Sequence, residues 1–123
     1  QKEYRTVFES HGLKMIFLIT PQTSGERVRS IDATSDAFIY MVSSASTTGA
    51  REGFDPLTEA YFKRISELRL KNPQIVGFGI SNAGTFGQAT RYAKGAIIGS
   101  AFIKALSEKG LGGISGFIKS IRP

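Results

Sequence analysis

The chain has 123 residues, 41% of them hydrophobic, and a net charge of +6 from 16 basic and 10 acidic side chains. This supports one modest core and falls well short of the about 250 residues of a complete eight-stranded α/β barrel. With no cysteine, and no apolar run near the about 20 residues of a membrane span, the sequence excludes a disulfide framework, a thiolate metal site and a transmembrane helix.

The basic residues, Arg27, Arg29, Arg51, Lys63, Arg91 and Lys119 among them, are spread along the chain. They form no arginine-rich tract and no RNA-binding motif, so neither nucleic acid nor membrane is an expected partner. Absence of cysteine fits a reducing, cytoplasmic compartment. The opening Gln1-Lys2-Glu3-Tyr4-Arg5 reads as the middle of a helix rather than a leader, and a helix remnant is expected over 1–11.

Strands and helices then alternate. Residues 14–20 form a continuous apolar run closed by Pro21, the mark of a strand buried on both faces. Thr23 or Ser24 is placed to cap a helix reaching Thr34, with Val28 and Ile31 inward. Residues 37–42 read as the second strand. The polar stretch 43–53 that follows is longer than the about 2–6 residues usual in such units, and is expected to be a mobile binding loop. Asp55 caps the next helix with Pro56 at its first position, and Leu57, Tyr61, Ile65 and Leu68 are expected to form its inner stripe. Asn72-Pro73 breaks it before a third strand over 74–80. Asn82 opens a helix to about Tyr92. A short fourth strand covers 95–98, Gly99-Ser100 opens a helix through about Leu106, and a last helix spans 112–121. The expected fold class is therefore α/β, built from parallel (β/α) units as half of a TIM barrel. Residues 1–123 form a single C-terminal half-barrel segment: the helix remnant and four β-α units.

Ligands of parallel α/β folds sit at the carboxyl ends of the strands. Three glycine-bearing segments fall there: Thr48-Gly49, Gly77-Phe78-Gly79-Ile80-Ser81 and Gly99-Ser100. Glycine lets a ligand approach the backbone, and Gly99-Ser100 also opens a helix, whose unpaired N–H groups attract an anion. One such segment is ordinarily turn geometry, whereas three at one end of consecutive strands point to a phosphate site. Tyr40 and Phe78 are open to two readings from the residues alone, barrel-core packing or the wall of a pocket.

The segments 38–43 with Thr48-Gly49-Ala50, 77–81, and 95–101 resemble, in order and spacing, the successive motifs of the tryptophan synthase alpha subunit, with 16–21 as its fifth strand. The resemblance covers essentially the whole chain, and strand 38–43 with its Thr-Thr-Gly-Ala loop is its most specific part. It implies a lyase that cleaves indole-3-glycerol phosphate to indole and glyceraldehyde 3-phosphate by a retro-aldol step, in tryptophan biosynthesis. The indole passes to a beta subunit carrying pyridoxal phosphate, and the alpha subunit has no cofactor of its own. On this resemblance Gly49, Gly79, Ile80, Ser81, Gly99 and Ser100 hold the phosphate. Tyr40, Thr48, Gly77 and Phe78 line the substrate pocket, with Thr48 on a loop that closes over it. The glutamate and aspartate that move protons in the family belong to the first half of the barrel. No position here matches them, so no catalytic residue is assigned and the 123 residues alone are expected to be inactive. The missing half, or self-association through edge strands, is the expected physical partner. Other readings are a fragment of a different phosphate-gripping barrel and a non-catalytic half-barrel scaffold.

The remaining candidates have plainer explanations. His11 is the only histidine and cannot make a zinc site without further ligands. Asp32, Asp36 and Asp55 sit at helix ends. Ser43, Ser44 and Ser46 lack a nucleophile-elbow context and a histidine partner. No dinucleotide or Walker motif is present.

Overall fold

The elements in chain order are α1 Lys2–Ser10, β1 Phe17–Ile19, α2 Gly25–Thr34, β2 Ile39–Val42, α3 Pro56–Glu67, β3 Gln74–Gly77, α4 Ala83–Thr90, β4 Gly95–Ile97, α5 Ser100–Lys109 and α6 Ile114–Ile121, with a 3-10 turn at Leu111–Gly113 before the last. The structure is a computed structural model, and it describes residues 2–43 and 54–123. The four strands form one sheet in sequential order β1-β2-β3-β4, and every pairing is parallel.

Register decides what each face carries. Ile19, Met41, Val76 and Ala96 align across the sheet on one face. Ile19, Ile39, Met41 and Val76 from that face are buried with Val28 and Ile31 of α2, Tyr61, Phe62 and Ile65 of α3, and Ala89 of α4. Leu18, Tyr40, Ile75 and Gly95 align on the opposite face, with Gly77 and Ile97 one step further along. There Leu18 is 58% exposed and Ile97 36% exposed. A doubly wound sheet has helices on both faces and a reversal of strand order. Sequential order with the helical core on one face is instead the geometry of a barrel segment, the bare face being the barrel interior.

The helix starts are where local chemistry places them. Ser24 caps α2 by accepting from the Arg27 N–H, Asp55 caps α3 from the Thr58 N–H with Pro56 at the first position, and Asn82 caps α4 in a reciprocal box with Thr85. Several boundaries differ from the sequence expectation. The third strand ends at Gly77, not at residue 80, because Phe78 and Gly79 both adopt positive φ (68° and 77°) and turn the chain out of the sheet. Helix α5 runs on to Lys109, where Gly110 at φ 65° ends it. The stripe expected on α3 is rotated: Leu57 is 83% exposed, and the buried face is Thr58, Tyr61, Phe62 and Ile65. The aromatic Phe62 wins the core position by packing edge-on against Phe54, with ring centroids 5.1 Å apart.

Two tethers tie helices to the sheet. Burial pushes the Tyr61 phenol up, so it stays protonated and donates to the Ile19 carbonyl at 3.2 Å. At the amino end of the strands, Asp32 accepts from the N–H groups of Lys71 and Asn72 at 2.9 and 3.0 Å and from the Asn72 amide at 2.8 Å. Burial alone would raise the Asp32 carboxyl; these hydrogen bonds outweigh it and hold the pKa below its ordinary value. A carboxylate depressed on folding contributes stability that is complete above its unfolded pKa and is lost as pH falls through its folded pKa. Asp32→Asn should therefore cost about 2 kcal/mol at pH 7, by leaving N–H groups without a good acceptor. The difference from the parent should shrink as pH drops below about 4. Urea melts of the two proteins across that range measure it, and a pH-independent difference would count against the account.

Candidate phosphate and substrate site

The carboxyl ends of β2, β3 and β4 lie side by side, since Val42, Gly77 and Ile97 share one line of register. At the end of β3 the chain makes its left-handed turn through Phe78 and Gly79. A Cβ on Gly79 would sit 3.0 Å from Phe54 Cε1, so both φ and space call for glycine there. Phe78 has no such freedom and is held by its neighbour strand. The Ser43 hydroxyl, on a residue 1% exposed, donates toward the carbonyls of Gly77 at 2.9 Å and Phe78 at 2.6 Å, and the Ser43 N–H also reaches Gly77. Ser43 was passed over in the sequence as an unsupported nucleophile. Its function is to pin this turn, and only the tertiary pairing of β2 with β3 reveals it.

Tyr40 and Phe78 come together on the bare face, edge to face with centroids 6.3 Å apart. Tyr40 is half-buried and Phe78 is 55% exposed. Neither belongs to the helix-facing core. Gly77 lies beneath them: a Cβ there would run into the Tyr40 hydroxyl and ring, with Cε1 at 2.6 Å. Gly77→Ala should thus force Tyr40 aside and destabilise by about 1–3 kcal/mol. Removing the obstacle with Tyr40→Ala in the same chain should recover most of the loss, giving clear non-additivity in a double-mutant cycle. Simple additivity of the two changes would place the conflict elsewhere.

The expected phosphate residues divide by what they offer. Ile80 is buried in the core, so only its backbone is available. Ser81 is exposed, but its N–H already donates to Thr85 Oγ1 at 2.9 Å, leaving the hydroxyl. Gly99 and Ser100 are exposed, and α5 begins there without a side-chain cap, unlike α2, α3 and α4. A Cβ on Gly99 would meet nothing within 4 Å. The first N–H groups of α5 are therefore left without a side-chain acceptor, at the positive end of the helix dipole and two residues past the Gly77–Ile97 register of β3 and β4. Thr48 and Gly49 lie outside the described residues, as does the loop 44–53. Among the described residues no cluster of histidine, cysteine, aspartate or glutamate could hold a metal, and no helix is long and apolar enough to cross a membrane.

Parallel β/α units with helices on one face, and a ligand end built from exposed backbone at the strand termini, define a segment of an α/β barrel. Residues 1–119 match the tryptophan synthase alpha chain family. The tryptophan synthase alpha chain of Flavobacterium johnsoniae is 67% identical over 120 residues, covering 98% of this chain and 47% of that protein. In solved structures, tryptophan synthase subunit alpha from Campylobacter jejuni superposes with a TM-score of 0.78 at 26% identity, over 98% of this chain and 48% of that one. A chain from the tryptophan synthase complex of Pyrococcus furiosus gives 0.77 at 32% identity, again over 98% and 48%. This chain belongs to the tryptophan synthase alpha chain family. It spans about half the length of the curated relatives it matches.

Proposed function

We propose that the protein containing this chain cleaves indole-3-glycerol phosphate to indole and glyceraldehyde 3-phosphate, and that these residues supply the phosphate-holding half of its barrel. The observation that carries the reading is the uncapped amino terminus of α5 beside the left-handed Gly79 turn, at the carboxyl ends of adjacent strands. A phosphate dianion there takes N–H groups and the Ser100 hydroxyl as donors without displacing any side-chain cap. Tyr40 and Phe78 flank the space inward of it and offer aromatic surface to the indole. In the retro-aldol step the bond between the indole ring and the glycerol carbon breaks. The glycerol hydroxyl loses its proton to become the aldehyde, and the ring carbon that keeps the electron pair takes a proton. Anchoring phosphate at one end and indole at the other holds that bond at a fixed place for acid and base groups from elsewhere in the barrel. The site is complete, in this reading, only with Thr48 and Gly49 and with the first half of the fold. The beta subunit of tryptophan synthase is the proposed protein partner, carrying the pyridoxal phosphate. Its support is that the Pyrococcus furiosus neighbour comes from such a complex. This chain needs no cofactor of its own, and the compartment is the cytoplasm.

Gly99→Val places a branched side chain in the open space in front of the α5 amino terminus. In the complete alpha chain the substitution should weaken glycerol phosphate binding by tenfold or more in calorimetric titration, at little cost in thermal stability. Equal affinity in variant and parent would put the phosphate elsewhere.

A further inference from the structure

We propose that the opposite, amino-terminal end of the sheet carries a docking groove for an acidic segment of another protein. A groove of about 660 Å³ lies between the α3–β3 and α4–β4 connections, and Arg69, Lys71, Arg91 and Lys94 line it. All four are exposed. Arg69 and Lys71 lie on one connection and Arg91 and Lys94 on the other, at least 20 positions away, and the fold gathers a quarter of the chain's 16 basic residues here. Among the described residues no acidic one lines the groove. Arg91 pairs with Glu59 at 3.5 Å, on the surface where such pairs hold weakly, and Lys71 lies near the Asp32 carboxylate with its ammonium donating to the Ala33 carbonyl at 3.4 Å.

The groove is built rather than loose. Asp32 takes the Lys71 and Asn72 N–H groups from below, and the Asn72 amide also reaches the Ser35 carbonyl at 3.0 Å. Arg69 is held at φ 49°, a left-handed conformation that glycine or asparagine adopts at less cost.

The chemistry of the floor selects the class of occupant. Helices α3 and α4 both end here, so the groove meets their carbonyl ends rather than free N–H groups. The N–H groups of Arg69, Arg91, Tyr92, Ala93 and Lys94 donate to backbone carbonyls, and those of Lys71 and Asn72 to Asp32. A compact phosphate, which wants converging N–H donors, finds none of these available. What remains is the exposed cationic tips of Arg69, Arg91 and Lys94, whose full charges outweigh the partial negative charge of the two helix ends and match carboxylates spaced along a segment, by charge complementarity at a solvent-exposed site. The groove lies at the other end of the strands from the Gly79 and Ser100 site, so both can be filled at once.

The test uses the complete alpha chain and a fluorescein-labelled hexaglutamate peptide, followed by anisotropy at low salt, with inorganic tripolyphosphate as competitor. Arg69→Gln with Lys94→Gln should weaken peptide binding at least tenfold. Arg27→Gln with Arg29→Gln, which removes the same charge from α2, should change it less than twofold. Salt near the ionic strength of seawater should abolish it in the parent. Arg69→Asn with Lys94→Gln, which relaxes the backbone at residue 69, guards against a folding defect and should behave as the first pair does. Absence of binding in the parent, or equal loss from both charge-matched pairs, would overturn the proposal. Tripolyphosphate binding that is tighter than the peptide's and lost in the groove variants would replace the acidic segment with a phosphate ligand.

Discussion

Residues 1–123, purified alone, should release no measurable indole from indole-3-glycerol phosphate, and adding the separately produced first half of the barrel should restore activity. Each positioned acid or base in such a step contributes about 10²–10⁴ in rate, and the family resemblance puts both outside this chain. Four of the carboxylates that the structure describes, Asp32, Asp36, Asp55 and Glu59, are occupied elsewhere. Asp32 accepts three hydrogen bonds at the amino end of the strands. Asp36 precedes β2 at that same end and pairs with Arg5 at 3.6 Å. Asp55 caps α3, and Glu59 faces Arg91 and Tyr92. None lies on the bare face beside Tyr40 and Phe78. What remains is binding without a proton path, which lowers no barrier by itself. The measurement is indole release with the isolated chain, with the first half, and with a first half whose glutamate and aspartate are replaced by amides. Indole from the isolated chain, with mass spectrometry excluding any upstream segment, would mean the chemistry has been misplaced. Glu52 and Asp55 would then be the first residues to replace, since Asp36 lies at the far end of the sheet.

How much was legible in the sequence depended on how local the physics is. The caps Ser24, Asp55 and Asn82 could be read because a cap is chosen by side-chain chemistry within three residues of the helix start. The parallel four-strand order followed from alternation of apolar runs with amphipathic ones. The end of β3 could not be read, because apolar residues continue past it and the left-handed Phe78 is held by a hydrogen bond from Ser43, 35 positions away. The face of α3 was misplaced for a similar reason. Leu57 and Phe62 fit neighbouring stripes equally well, and the contact with Phe54 decides between them. Two of the three glycine segments read in the sequence, 77–81 and Gly99-Ser100, lie at the carboxyl ends of adjacent strands, whereas the different chemistry each offers was not legible. That the Ser81 N–H is already spent on Thr85, while α5 starts without a cap, is a property of side-chain geometry. The basic residues looked scattered in sequence, and the fold collects four of them in one groove.

The isolated 123 residues should also fail to remain monomeric. Parallel sheets occur almost only with both faces covered, because their strands are apolar on both sides. Here one face has its helices, and the other shows Leu18 at 58% and Ile97 at 36% exposure with Tyr40, Val42 and Ile75 between them. The two outer strands, β1 and β4, each present one unpaired edge, with nothing in Phe17–Ile19 or Gly95–Ile97 to discourage pairing: no charge and no proline. An uncovered apolar face joined to two open edges associates, either with the first half of the barrel or with another copy, whichever is present. Light scattering coupled to gel filtration at about 10 μM should give a mass of at least twice the 13.3 kDa of the chain. Coexpression with the first half should replace that species by a one-to-one complex. Leu18→Lys with Ile97→Lys should shift the isolated chain toward monomer by placing two charges on the bare face, leaving the helix-facing core untouched. A monodisperse monomer of the unmodified chain with a cooperative thermal transition would show that the bare face needs no cover.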